Sequence, residues 1–226
     1  MKDPYIQENG TLKNMLGITN YDELNKKEKD ICYLKLLNVD KVYKGKFDMD
    51  LLKAVHKHIF EDIYDWAGEF RTVPLYKTEI IIPGISLEYA NPKNIKKELQ
   101  KNITTMNNFD WDSISDNKEE VTKHLVRNMA KIWRVHPFRD GNTRTILAYA
   151  TIFAKEHNFE LDISKIASGL TRIVNKDTNK VVKWSIRDKF VLAALDEDFY
   201  PEPEGLEREI KKSMIDKKEN EHGEER

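Results

Sequence analysis

The chain has 226 residues, a length that suits one domain able to bury its own core. Its 38 Lys and Arg residues nearly balance its 39 Asp and Glu residues, and the formal net charge of −1 gives no basic surplus for a nucleic-acid partner. Cys32 is the one cysteine, which excludes an intramolecular disulfide and a cysteine-based zinc site. Since no apolar run approaches a membrane span and the first residues lack a signal-peptide core, we expect a cytoplasmic protein without a membrane partner.

Helical periodicity begins near residue 20. The run Asn20 to Glu23 has the composition of a capping box, which is typical of a helix N-terminus. Asp48 can cap a second helix, whose apolar stripe is formed by Leu51, Leu52, Val55, Ile59 and Ile63. We expect this second helix to end at Gly68, because glycine is the usual residue just beyond a helix C-terminus.

Residues 69–90 have a different character. They combine β-branched and aromatic residues with two prolines and a glycine, a composition that predicts a strand or hairpin. Proline cannot donate a hydrogen bond within a sheet, so an edge strand or a flap over about 70–84 is favoured.

Helical patterns return from Asn91, where an N-cap residue precedes a proline. One helix is predicted over about 118–133, and another follows the polar loop at 136–142. Two more are expected over about 163–174 and 181–199.

The pattern as a whole predicts an all-α fold with one small β-hairpin flap. The domain would span 1–200 with a core over about 48–175, followed by a charged C-terminal helix or tail at 201–226. The absence of alternating strands and helices argues against a Rossmann or P-loop core.

The loop after the fourth predicted helix concentrates the chemistry that phosphate transfer needs. Gly141 allows a turn with positive φ, and the helix that follows would present free N–H groups and its dipole to an anion. Arg144 adds a planar fork of donors for phosphate oxygens. Asp140 is a hard oxygen ligand suited to magnesium beside phosphates, and His136 can accept a proton near neutral pH. An ordinary polar turn between two helices is the alternative interpretation.

The same loop resembles the signature H-x-F-x-[D/E]-G-N-G-R-x-x-R of the Fic/Doc family. The matching residues are His136, Phe138, Asp140, Gly141, Asn142 and Arg144. Residues 59–73 are similar to the region between helix and flap in that family, and residues 10–14 and 17–19 resemble the start of its N-terminal region. The resemblance covers about residues 10–200.

This resemblance implies a helical Fic core that transfers AMP from ATP and Mg²⁺ to a Tyr, Ser or Thr hydroxyl of a protein, including the chain itself. His136 would be the base and Asp140 would hold magnesium. The implied nucleotide-binding residues are Arg139, Gly141, Asn142, Thr143 and Arg144. The target protein would dock on a flap formed by Tyr76, Lys77, Thr78, Glu79 and Ile80, because an extended peptide can add to an exposed edge.

Two positions depart from the family signature. Thr143 stands where the family has a second glycine, and Leu147 stands where it has the last arginine. No strict inhibitory motif [S/T]-x-x-x-E-[G/N] is present, so a separate small antitoxin-like protein, weak regulation, or a divergent role of Glu204 or Glu219 are the alternatives. A phosphotransferase of the Doc kind and a weakly active Fic module that binds a nucleotide or a partner also stay open, as does a homo-oligomer.

Overall fold

The computed structural model describes residues 3–42, 45–77, 79–82, 84, 87–167, 169–170, 172–175, 177–195 and 204–215. Within these ranges the chain forms eight α-helices and four very short strands. The helices are α1 (Tyr21–Leu36), α2 (Met49–Phe60), α3 (Ile95–Asn107), α4 (Lys118–Val135), α5 (Asn142–Glu156), α6 (Ile163–Ala167), α7 (Ile186–Ala193) and α8 (Glu204–Ser213). The strands are β1 (Glu160–Leu161), β2 (Ile173–Val174), β3 (Val181–Lys183) and β4 (Met214–Ile215). The predicted all-α fold is confirmed.

The first two helices begin where the sequence predicts. The Asn20 side chain accepts the backbone N–H of Glu23 at the start of α1, and Asp48 accepts those of Asp50 and Leu51 at the start of α2. The second helix ends at Phe60 rather than at Gly68. The chain turns over residues 61–67 and returns Gly68 to α2, where its N–H donates to Nδ1 of His56 at 2.8 Å.

The segment 69–90 forms no strand in its described residues, which corrects the predicted hairpin. Arg71, a residue of the segment itself, binds carbonyls within it and beyond it. Buried Arg71 donates from its guanidinium to the carbonyls of Val73, Ala90 and His136, and its own N–H donates to Pro137 at 2.8 Å. Arg71 therefore ties the two ends of the segment to each other and to the loop that follows α4, and the segment runs as an extended loop.

The last third of the chain is less helical than its sequence predicts. Helix α6 covers five residues of the predicted 163–174, and α7 covers eight of the predicted 181–199. Between them, β2 and β3 form a small antiparallel hairpin. Helix α8 lies in the predicted charged tail, but it packs on α4 and α7 through fully buried Leu206 and Ile210. Glu219 lies outside the described residues.

The core centres on α4, which packs against α3, α5, α7 and α8, while α2 packs against α5. Its largest buried side chains include Trp133, Tyr149, Phe60 and Phe153. The loop between α4 and α5 therefore connects two helices of the buried core.

None of the helices in the described ranges combines the length and the apolar composition that a membrane span requires.

Candidate active site

The loop between α4 and α5 is closed by one of its own side chains. Asn142, the first residue of α5, accepts the N–H of Phe138 at 2.9 Å and donates to its carbonyl at 2.8 Å. His136 ends α4 in the left-handed region with φ 51°, and Gly141 precedes α5 with φ 76°. The Asn142 side chain therefore holds the loop, while its backbone N–H lies in the first turn of α5.

His56 of α2 supports the loop from below. Its ring stacks on Phe138 with centroids 3.8 Å apart. Because Nδ1 accepts the Gly68 N–H, the neutral ring carries its proton on Nε2, which donates to the Asp140 carbonyl at 3.2 Å. Burial lowers the pKa of His56 to about 3, so the ring stays neutral and acts as a fixed donor in the protein interior.

Gly141 is required by packing as well as by its backbone conformation. A Cβ atom at this position would lie 2.3 Å from two ring carbons of Phe60, which is fully buried. The loop thus approaches α2 as closely as a residue without a side chain allows.

A cavity of about 410 Å³ lies beside this loop. Its walls come from α1, from the segment before α3, from the loop and start of α5, and from residues near α7. The lining residues are Asn25, Glu28, Lys29, Cys32, Tyr33, Leu36, Lys77, His136, Asp140, Gly141, Asn142, Thr143, Arg144, Leu170 and Arg187. His136, Asp140, Gly141, Asn142, Thr143 and Arg144, all predicted from the sequence, therefore line one cavity.

His136 is buried and uncharged. Its ring stacks on Tyr89 at 4.0 Å, and its Nδ1 has no hydrogen-bond partner among the described residues. Burial lowers the pKa of His136 well below its ordinary value, and the positive charges of Lys77, Arg187 and Arg71 lower it further. The imidazole is therefore in the form that can accept a proton.

Asp140 is charged although it is partly buried. Burial alone would raise its pKa, but Lys77, Arg144 and the Gly141 N–H, 2.6 Å from Oδ1, outweigh it and lower the pKa. A single charged carboxylate facing a cavity fits magnesium that takes its other ligands from phosphates and water. No group of three or more His, Cys, Asp or Glu in the described ranges could hold a metal by itself.

Arg144 faces the cavity but has a partner inside it. Its guanidinium forms a salt bridge with Glu28 of α1, donates to Cys32 Sγ at 3.2 Å, and lies 4.7 Å from the centroid of the Phe60 ring. The Tyr64 hydroxyl donates to the other oxygen of Glu28. Burial would lower the pKa of Arg144, but the negative Glu28 outweighs it and the net shift is upward.

The remaining predicted nucleotide ligands differ in position. Thr143 lines the cavity, and its hydroxyl accepts the indole N–H of Trp133 at 3.0 Å. Arg139 does not line it, because its guanidinium binds Asp3 at 2.8 Å in the N-terminal segment.

The predicted docking residues that the structure describes differ in exposure. The side chains of Tyr76 and Ile80 are 89% and 61% exposed. Lys77 lines the cavity, and Glu79 is buried in a bidentate pair with Arg187. Thr78 lies outside the described residues.

Residues 46–154 match the model of a protein family described as the Fic/DOC family. This stretch of the chain is a Fic domain. It contains α2, α3, α4, the loop and all but the last two residues of α5, whereas α1 and α7 lie outside the matched range.

Curated proteins similar to this chain are named as protein adenylyltransferases. The protein adenylyltransferase VbhT of Bartonella schoenbuchensis is 27% identical over 176 residues, which cover 73% of this chain and 33% of VbhT. The probable protein adenylyltransferase y4lH of Sinorhizobium fredii is 31% identical over 122 residues, 54% of this chain and 60% of y4lH. The chain thus spans one third of the first relative and three fifths of the second.

Solved structures share the fold over more than nine tenths of this chain. The BepC protein of Bartonella tribocorum, solved with bound AMPPNP, has a TM-score of 0.67 at 17% identity over 93% of this chain and 96% of its own. The N-terminal Fic domain of a cell filamentation protein from Bartonella quintana was solved with bound ADP. It has a TM-score of 0.68 at 19% identity, and the match covers 95% of this chain and 96% of that domain. At these identities the likeness shows the fold alone.

Sequence reasoning centred on the Fic loop missed Glu28, Cys32 and Arg187. A signal for Glu28 was present, since Leu24, Glu28, Cys32 and Leu36 follow one another at intervals of four and lie on one helix face. A carboxylate on an otherwise apolar face indicates a buried charge that needs a partner. No comparable signal marked Arg187, because its role depends on contacts with residues more than 100 positions away.

Proposed function

We propose that the chain transfers AMP from Mg²⁺-bound ATP to a hydroxyl side chain of a protein. One observation carries the proposal: a neutral His136, a charged Asp140 and the N-terminal turn of α5 line the same cavity. A base, a carboxylate for the metal and free helix N–H groups are the parts that phosphate-ester transfer requires. The names of VbhT and y4lH support the same reaction.

The reaction follows from this placement. The target hydroxyl attacks the α-phosphorus and gives its proton to the neutral imidazole of His136. A new P–O bond forms to the target, the bond to the leaving pyrophosphate breaks, and the first N–H groups of α5 stabilise the phosphate charge. Magnesium, held by Asp140 when bound, would neutralise phosphate charge and favour departure of pyrophosphate.

The electrostatics suit a base that works with a polyanion. Lys77, Arg187 and Arg71 make protonation of His136 costly in the empty cavity. A bound triphosphate would offset these positive charges and raise the pKa of His136 toward its ordinary range. The histidine would thus become a stronger base only when the nucleotide is in place.

A groove of about 300 Å³ fits the docking of the target segment. It is lined by Pro74, Leu75, Tyr76, Leu87, Glu88, Tyr89, Ala90 and Asn91. Tyr89 belongs to this groove and also stacks on His136, so a peptide lying there would pass close to the base. Exposed Tyr76 offers an aromatic contact for the peptide. Control by an antitoxin-like protein and self-association remain predictions.

The test is intact-mass spectrometry after incubation with ATP and Mg²⁺, with the protein alone and with cell lysate as a source of targets. An AMP-sized gain that is absent in His136→Ala, while ATP binding measured by calorimetry is retained, is the expected result. Normal transfer by the variant would refute the role of His136. A phosphate-sized gain would establish the Doc-like reaction, and no gain on any protein would leave a binding module.

A further inference from the structure

The cavity has a cationic residue that the Fic signature does not contain. Leu147 stands where the signature ends in arginine, and its side chain is 2% exposed in the core. Arg144 is already paired with Glu28. Arg187, which lies outside the matched residues 46–154, enters the same cavity from α7.

Arg187 is fixed in place by its local structure. Ser185 and Asp188 form a reciprocal capping box, which sets the start of α7 and puts Arg187 in its first turn. The guanidinium then binds Glu79 through both terminal nitrogens, at 2.8 and 2.7 Å. The Glu79 side chain is 1% exposed and also accepts the Tyr89 hydroxyl at 3.0 Å.

This arrangement connects the guanidinium to the proposed base. Tyr89 donates its hydroxyl to Glu79 and stacks its ring on His136. Glu79 and Tyr89 therefore lie between Arg187 and His136, with Glu79 binding Arg187 and Tyr89 contacting His136. Arg187 and His136 also line the same cavity, and the positive charge of Arg187 helps to lower the pKa of His136.

The pair with Glu79 leaves donors unused. A guanidinium carries five N–H groups, and the two hydrogen bonds to Glu79 use one on each terminal nitrogen. The Arg187 side chain is 28% exposed, whereas Glu79 is hidden behind it. The accessible part of the pair is therefore the cation, in a planar form suited to phosphate oxygens.

We propose that Arg187 is a phosphate-binding residue of this cavity, and that it donates to the nucleotide phosphate that lies beside His136. The inference rests on the proposed function for the identity of the ligand. Glu79 is the positioning residue that holds the guanidinium, and Tyr89 links this position to the base. Helix α7 thereby supplies a cation that the signature position 147 does not.

The experiment compares two variants that both lack the Glu79 carboxylate and differ only in whether Arg187 is present. Glu79→Gln retains Arg187, whereas the double variant Glu79→Gln/Arg187→Gln removes it without leaving a buried carboxylate unpaired. Calorimetry with ATP and with adenosine measures the dissociation constant of each folded variant. Since a hydrogen bond to a charged group is involved, ATP should bind about tenfold or more weakly to the double variant than to Glu79→Gln, with adenosine unchanged.

A matched control comes from the same helix. Lys189→Gln removes one positive charge from α7, but Lys189 pairs with Glu209 and does not line the cavity, so ATP affinity should be retained. Equal ATP affinities of Glu79→Gln and the double variant would overturn the proposal, as would an equal loss in Lys189→Gln. Because binding is measured without transfer, the result stands apart from the AMP-transfer assay: wild type that binds ATP but transfers nothing would refute the proposed function alone.

Discussion

Gly141→Ala should destabilise the protein for two separable reasons. The residue has φ 76°, where an L side chain costs about 1–2 kcal/mol. The new Cβ would also lie 2.3 Å from Cε2 and Cζ of Phe60, whose ring is fully buried and cannot move into solvent. Overpacking of this kind adds about 1–3 kcal/mol.

The expected loss of unfolding free energy is about 3 kcal/mol, which corresponds to a melting temperature lower by about 6–12 °C for a chain of this size. Thermal unfolding followed by circular dichroism and urea titration would measure it. Gly17→Ala is the matched control, since φ is 69° and nothing lies within 4 Å of a Cβ there. It isolates the backbone cost, a lowering of the melting temperature by about 2–8 °C.

The comparison of Gly141→Ala with Gly17→Ala tests whether close packing against Phe60 is the reason that position 141 requires glycine. If Gly141→Ala were no less stable than Gly17→Ala, the steric argument would fail. A second check is the double variant Phe60→Leu/Gly141→Ala, in which the smaller side chain makes room. The double variant should lose less unfolding free energy than the sum of the losses in Phe60→Leu and Gly141→Ala alone, because the effects of substitutions at contacting residues are not additive.

The remaining predictions concern buried charges. Glu28→Ala leaves the Arg144 guanidinium, whose side chain is 16% exposed, without its anion. The variant should lower the free energy of unfolding by about 3 kcal/mol in urea titrations, with a smaller loss for Glu28→Gln. An unchanged urea midpoint for the alanine variant would contradict the pairing. His56 and His136 have lowered pKa values in the folded state, so below pH 6.5 the unfolded chain binds more protons and stability should fall, by about 1 kcal/mol for each histidine between pH 6.5 and 5.5. A flat stability profile over that interval would show that they are not buried neutral. Burial raises the pKa of Cys32 to about 12, so a thiol reagent should modify it slowly in the native protein and fully in urea; equal rates would refute its burial.

Local signals in the sequence located the loop between α4 and α5 and most helix starts. The caps at Asn20 and Asp48 act on neighbours two or three residues away, so the sequence carries the whole interaction. The loop residues His136, Asp140 and Gly141 lie within six positions, and their order already constrains how they can be placed around a cavity.

Tertiary structure decided what stands opposite that loop. Arg71 binds carbonyls at both ends of the segment 69–90, and this long-range contact replaces the ladder that its strand-like composition predicts. Glu28 pairs with Arg144 across 116 positions, and Arg187 pairs with Glu79 across 108. Periodicity reports which face of a helix is buried, but a buried ion pair depends on which helices meet, and only the packing of α1 and α7 around the Fic domain determines that.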